Sequence, residues 1–219
     1  MNNLVAVIPV RKGSQRVINK NFRPFAGENL LIKKIKILKE VEYLEKIIIN
    51  TDSDDAIDIA KNYGVDYWRR EDYYASSECL NSDFWQNVAE TTDSKYLMFT
   101  NCTSPLIKLG TYQNTINFFR EKIVKGEFDS INTVTELKEF IFLENKPINF
   151  NLNSTPNSQN LPDTVILNFA INILSTDNMY KRKSLIGNKP YLHKLNEVEG
   201  IDINSETDFE IAEFFYKKL

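Results

Sequence analysis

The chain has 219 residues, 42% hydrophobic and 26% charged, a balance that favours a soluble globular fold and excludes large-scale disorder. Twenty-seven Lys and Arg against 30 Asp and Glu leave a formal net charge of −3, with neither half markedly basic, so no nucleic-acid-binding surface is expected. Cys79 and Cys102 have no metal-ligand spacing, His193 is the only imidazole, and no apolar run reaches the ~20 residues of a membrane helix. The expectation is one domain over residues 1–219 that stays in the cytoplasm, without a leader or membrane contact, its two thiols buried and reduced.

Leu4 to Val10 is a continuous apolar run ending in a charged turn that contains Gly13, which predicts a buried parallel strand. Leu30, Leu31, Ile35 and Leu38 then recur at helical spacing, and residues 46–50 form a second apolar run, completing a strand, helix, strand unit. The alternation continues with a helix over 54–63 closed by Gly64, a short strand over 65–68, a helix over 82–92, a strand over 96–100, a helix over 110–125 and a strand over 130–134. Trp68 and Trp85 read as core anchors, His193 as a structural or surface residue, and Asp52 as the cap of a helix starting at Ser53. This pattern predicts an α/β fold with a Rossmann-like, doubly wound, mostly parallel sheet covered on both faces. Ligands of such sheets lie beyond the carboxyl ends of the strands, which directs attention to Pro9 to Lys20, Thr51 to Ser53 and Asn101 to Pro105.

From 136 to 163 the pattern lapses: Pro147, Pro156 and Pro162 and repeated Asn leave no sustained helical period. A segment this long predicts extended arms or hairpin strands serving as a dimer contact or lid, with a plain surface insertion as the alternative. Strand character resumes over 165–167 and 170–174, a last short strand is expected over 199–203, and Ser205 to Asp208 offers N-cap chemistry for a closing helix over 209–218.

The first loop, Arg11 to Asn21, carries Arg11, Lys12, Arg16 and Lys20 and one permissive glycine directly after a buried strand. A phosphate chain needs inward-turned backbone N–H groups and cations in Coulomb reach, and this loop supplies both. It lacks the second glycine and the Lys-Ser/Thr pair of a Walker A loop and has no dinucleotide fingerprint; a solvated basic loop is the plain alternative.

Ile8-Pro9-Val10-Arg11-Lys12-Gly13-Ser14 followed by Asn19-Lys20-Asn21 resembles the opening signature of the acylneuraminate cytidylyltransferases, the CMP-sialic acid synthetase-like family. The resemblance continues through Asn50 to Ser53, Arg70 with Ala75-Ser76, Thr103 to Leu106, Gln159 to Pro162 and Ile201 to Ile203, nearly the whole chain. It implies attack of an acceptor on the α-phosphorus of CTP with release of pyrophosphate. Arg11 and Lys20 would be catalytic; Pro9, Arg11, Gly13, Ser14 and Lys20 would hold the triphosphate; Asn21 and Arg70 would read the base; Asn101 and Thr103 would approach the ribose or base. Asp202, with Asn204, would ligate Mg²⁺ (or Mn²⁺), Gln159 and Asn168 would face the acceptor, and the protein would be a homodimer. Bland roles stay open for single residues, Arg70 as a surface partner of Glu71 or Asp72 and Asn101 as a turn residue.

Four departures from the family pattern fall mostly on the acceptor side. Asn204 stands where a second Asp is usual, Phe169 follows Asn168 where Gly is usual, Ser158 replaces an Arg before Gln159, and Glu136 to Phe140 replaces a basic, His-containing segment. The acceptor is therefore either a nonulosonic acid of sialic, legionaminic or pseudaminic type or a small phosphorylated metabolite, in either case for a capsule or other surface polysaccharide. A nucleotide-binding but non-catalytic member, and a uridylyl- or guanylyltransferase, remain as alternatives.

Overall fold

The computed structural model describes residues 3–14 and 16–218. Its elements follow in the order β1 (Leu4–Val10), α1 (Leu30–Lys39), β2 (Lys46–Thr51), α2 (Asp54–Tyr63), β3 (Asp66–Arg69), α3 (Asp72–Ala75), α4 (Asn81–Thr91), β4 (Tyr96–Phe99) and α5 (Leu109–Phe118). After a π-helical turn, Phe119–Ile123, come β5 (Ser130–Leu137), the two short strands β6 (Phe142–Leu143) and β7 (Lys146–Pro147), β8 (Thr164–Ser175), α6 (Thr176–Arg182), β9 (Pro190–Leu195) and α7 (Glu206–Tyr216).

Seven strands form one sheet in the order β3, β2, β1, β4, β8, β5, β9. All its pairings are parallel except the two made by β8, which runs against β4 and β5. The unbroken apolar run of β1 has a direct cause: Leu4, Ala6, Ile8 and Val10 enter one core with α1, α2, α5 and α7, whereas Val5 and Val7 enter a second core with α4 and α6. A strand buried on both faces has no reason to alternate with polar residues.

Local chemistry sets the helix ends. The Asn29 side chain accepts from the Ile32 N–H at the start of α1, and Gly64 closes α2 with φ +60. The cap of α2 is Ser53, whose hydroxyl accepts from Ala56, and Asp52 is left for another task.

Several expectations need correction. The segment 199–203 is not a strand: Gly200 and Ile201 donate back to Asn196 and Val198 in a turn, and the buried Glu199 carboxylate accepts from the Lys108 N–H, Thr111 and Asn196. The two strands expected over 165–167 and 170–174 are one, β8, with a register shift opposite Asn132 and Val134 that throws Phe169 to φ +53. The helix expected over 110–125 divides into α5 and the π turn. Trp68 lies 45% exposed on edge strand β3 and is no core anchor, while Trp85 packs on the second core beside Phe169. His193 sits half-buried in β9 next to Tyr191, and burial lowers its pKa. The segment 136–163 includes the β6–β7 hairpin and two 3₁₀ turns.

Because β1, β2, β3 and β4 run parallel, with Val10 opposite Thr51 and Thr51 opposite Arg69, the loops following them gather along one edge of the sheet. That edge carries the site.

Candidate active site

The loop after β1 is held open by its backbone. Gly13 has φ +76 with no atom within 4 Å of where a Cβ would stand, so the glycine is required by conformation and not by space. One residue earlier, the Lys12 N–H donates to Asp52 Oδ1 at 2.8 Å, tying the loop to the end of β2. Asn19, at φ +55, starts a tight turn whose Phe22 and Arg23 N–H groups return to its carbonyl, and buried Val17 pins the loop to the core. The result brings Lys20 and Asn21 back beneath Arg11 and Ser14, around one cavity.

The cavity holds about 590 Å³, the size of a nucleotide site. Pro9, Arg11, Ser14, Lys20, Asn21, Arg70, Asn101, Thr103, Asp202 and Asn204 all line it, so residues as distant in sequence as Pro9 and Asn204 meet there as the sequence predicted. Gly13, Gln159 and Asn168 do not line it, and Gly13 contributes through the backbone turn that it permits between Arg11 and Ser14. Gln159 is exposed in the 3₁₀ turn of Ser158–Asn160, and Asn168 is buried in the bulge of β8, where its carboxamide oxygen accepts from the Thr133 hydroxyl and the Ala170 N–H.

Among the described residues four cations line the cavity, Arg11, Arg16, Lys20 and Arg70, against the single carboxylate of Asp202. Lys20 Nζ donates to the Ile203 carbonyl at 2.6 Å. Burial pushes the Lys20 pKa below its ordinary value; Asp202 opposes this and Arg16 and Arg11 add to it. Arg70 is 5% exposed, so it is not a surface partner for Glu71 or Asp72. Its Nε donates to Asn50 Oδ1 at 2.6 Å and a terminal nitrogen to the Asn50 carbonyl at 2.7 Å, with the guanidinium 4.2 Å above the Phe84 ring. Burial pushes Arg70 down to about 10, which leaves it cationic at neutral pH.

Three buried side-chain oxygens have no hydrogen-bond partner among the described residues: Asn21 Oδ1, Asp202 Oδ1 and Ser104 Oγ. The first two belong to residues that line the cavity, and unpaired buried acceptors are rare enough to point to a missing donor or cation. Beside them, Asn204 Nδ2 donates to Asp202 Oδ2 at 2.7 Å and the Asn204 N–H to Asp208 Oδ2 at 2.9 Å. Asp208 also completes a capping box with Ser205, so α7 braces the pair. Among the described residues no three His, Cys, Asp or Glu side chains gather as a metal cage. A cation here would have one carboxylate, a carboxamide oxygen and its substrate's own oxygens.

The far wall, Tyr74, Ser77, Cys79, Asn81 and Phe84, escaped the motif reading. It follows the end of β3, so the rule that ligands sit beyond strand ends, applied to residues 70–81, would have found it. Cys79 is only half-buried there and not fully enclosed as expected, and burial raises its pKa; Cys102, fully buried, is raised to about 12.

Residues 5–187 match the family model for cytidylyltransferases. Over its full length the chain is 24% identical to post-translational flagellin modification protein B of Campylobacter coli, covering 97% of that protein. It is 25% identical, over 95% of its length, to the N-acylneuraminate cytidylyltransferase of Escherichia coli O18:K1:H7, of which it spans only 51%. Its fold is similar to a solved CMP:2-keto-3-deoxy-manno-octonic acid synthetase complexed with CTP, with a TM-score of 0.71 at 11% identity and coverage of 99% of this chain and 100% of that one. The matched segment includes the loop after β1 and the ends of β2, β3 and β4, and the chain belongs to the cytidylyltransferase family.

Proposed function

We propose that this chain transfers CMP from CTP to a nonulosonic acid of sialic, legionaminic or pseudaminic type, releasing pyrophosphate, as a step toward a capsule or other surface-polysaccharide precursor. The observation that carries the reading is the convergence of Arg11, Arg16, Lys20 and Arg70 with two unpaired buried acceptors, Asn21 Oδ1 and Asp202 Oδ1, in one cavity. In the reaction the acceptor oxygen bonds to the α-phosphorus, the bond to the bridging oxygen breaks, and pyrophosphate leaves with the electron pair. Such a displacement depends on neutralising phosphate oxygens, which Arg11 and Lys20 do, with Ser14 and the backbone around Gly13 orienting the chain of phosphates. Asn21 Oδ1, an acceptor without a donor, suits the amino group of cytosine, and Arg70, Asn101 and Thr103 line the same cavity to complete the hold on base and ribose.

Mg²⁺ (or Mn²⁺) fits this site, because Asp202 Oδ1 is buried and unpaired, and Asn204 would add a carboxamide oxygen. When bound, the ion would withdraw charge from the phosphate oxygens. The work is assigned to a homodimer in the cytoplasm, with the segment 136–163 reaching toward the partner.

A second reading, transfer to a small phosphorylated metabolite, has its own observation. Asn168 is consumed by Thr133 and Ala170, and the Phe169 ring packs 6.0 Å from Trp85, so few polar groups near the β8 bulge are left for a nine-carbon acid sugar. One screen decides between the two: CTP, Mg²⁺ and a panel of nonulosonic acids and small phosphorylated metabolites, with pyrophosphate release and product mass as readouts. A CMP-nonulosonate product is expected. A CDP-linked product would install the second reading, and CTP binding without pyrophosphate release from any acceptor would reduce the chain to a nucleotide-binding relative. Thermal shift with each of the four nucleoside triphosphates checks the base: stabilisation by UTP or GTP in place of CTP would overturn the cytidine assignment.

A further inference from the structure

A second cavity of about 440 Å³ shares no lining residue with the nucleotide cavity. It lies between α1, the start of α5 and the end of α7, and three lysines, Lys33, Lys34 and Lys108, open on it against an apolar wall that includes Ile37, Ile107 and Tyr216. Lys34 is its unusual member. The side chain is 3% exposed, and its ammonium donates to the Ser104 carbonyl at 3.0 Å and the Tyr112 hydroxyl, both neutral. Among the described residues no carboxylate comes within ion-pair distance of Lys34 or Lys108; only Lys33 has one, Glu28 at 3.9 Å. A buried ammonium without a counter-charge is unfavourable, and water alone compensates it poorly. The third N–H of Lys34 has no protein acceptor among the described residues.

We propose that this cavity binds a small organic anion, a carboxylate or phosphate on an apolar body, whose charge sits between Lys34 and Lys108 and whose body lies on Ile37, Ile107 and Tyr216. The charge count selects an anion, and the apolar wall selects one larger than inorganic phosphate. The site is not remote from the chemistry. Ser104, which accepts from Lys34, immediately follows Asn101, Cys102 and Thr103 in the wall of the nucleotide cavity. An occupant that draws Lys34 away from Ser104 therefore acts on the loop that approaches the nucleotide.

Anilinonaphthalene sulfonate, an anion with an apolar body whose fluorescence rises on binding, is a suitable probe. Titrated into the full chain in saturating CTP, it should bind one molecule per chain. Lys34→Met, with the fold checked by thermal melting, and the surface variant Lys108→Ala should each weaken that binding by about tenfold or more. Binding seen without CTP but absent in saturating CTP would place the probe in the nucleotide cavity and overturn the proposal. So would unchanged binding in Lys108→Ala together with Lys34→Met, and if Lys34→Met fails to fold, unchanged binding in Lys108→Ala does so by itself.

Discussion

At Lys20 burial and neighbouring cations press the ammonium toward losing its proton, while Asp202 and the Ile203 carbonyl hold it. The cation is the working form, so activity is present below the Lys20 pKa and lost as pH rises through it. Because that pKa is depressed, the alkaline limb of kcat/KM should fall below the ordinary lysine value of 10.5, and Lys20→Arg should move it upward. Lys20→Ala should lower kcat by about a hundredfold or more, and near-normal turnover would remove the residue from the chemistry. Asp52 acts at one remove, through the Lys12 N–H. Asp52→Ala should raise KM for CTP by about tenfold, this exposed charge-assisted hydrogen bond falling at the low end of ~1.5–3 kcal/mol, with a smaller effect on kcat; the reverse split would mean that it touches the reacting groups. Asn204→Asp would replace the donor to Asp202 by a second carboxylate, lowering stability without metal and increasing the stabilisation that Mg²⁺ provides in a melting curve. Equal Mg²⁺ shifts in both proteins would defeat the idea that Asn204 weakens the metal site.

At the scale of elements, α7 links capping to the site. Its capping box joins Ser205 and Asp208, and the same Asp208 carboxylate holds the Asn204 N–H. Ser205→Ala should cost about 1 kcal/mol of stability, measured by denaturant titration, and should also loosen nucleotide affinity, which an isolated cap would not do. The strands up to β4 were legible because each is an apolar run buried on both faces or a short edge after a glycine stop; α1 and α2 have both spacing and a side-chain cap to mark them, α4 spacing alone, and the four-residue α3 was missed because it is too short to show a period. Legibility failed where the signal came from tertiary contacts. β9 starts at Pro190, alternates half-buried with exposed residues and belongs to the sheet only through its pairing with β5. α6 is seven residues long, too short for a period to show. The apolar Ile201 and Ile203 suggested a strand, but Glu199 turns inward to cap α5 and bends the chain there. The loop after β1 was readable as a wall of the cavity from its charge and position; the wall from Tyr74 to Phe84 was not, because its residues carry no charge pattern and come to the cavity only when β3 ends beside β2.

At the scale of the whole molecule, the segment 136–163 is the part the fold does not account for by itself. Its hairpin pairs only Phe142 with Pro147 and Leu143 with Lys146, and an isolated two-stranded ribbon is marginal in water. Phe142, Leu143, Ile148 and Leu152 are each more than half exposed, while Phe140 and Phe142 lie edge-on to Phe150. Exposed apolar side chains gathered on one short segment favour burial against another chain. The base of the segment is fastened, with Lys138 bonded to Asp163 at 2.8 Å and to the Leu161 carbonyl at 3.1 Å, so the hairpin projects from a fixed root. A second copy of the chain is the occupant the proposed homodimer requires. Sedimentation at micromolar concentration should therefore show a dimer, and Leu143→Glu, which puts a charge on the exposed tip without touching either core, should dissociate it while leaving the monomer folded. If the segment reaches the partner's cavity, activity per chain should fall on dilution through the dimer dissociation constant and fall equally in Leu143→Glu. A wild-type monomer, or a dimer indifferent to that charge, would assign the apolar tip to something other than self-association.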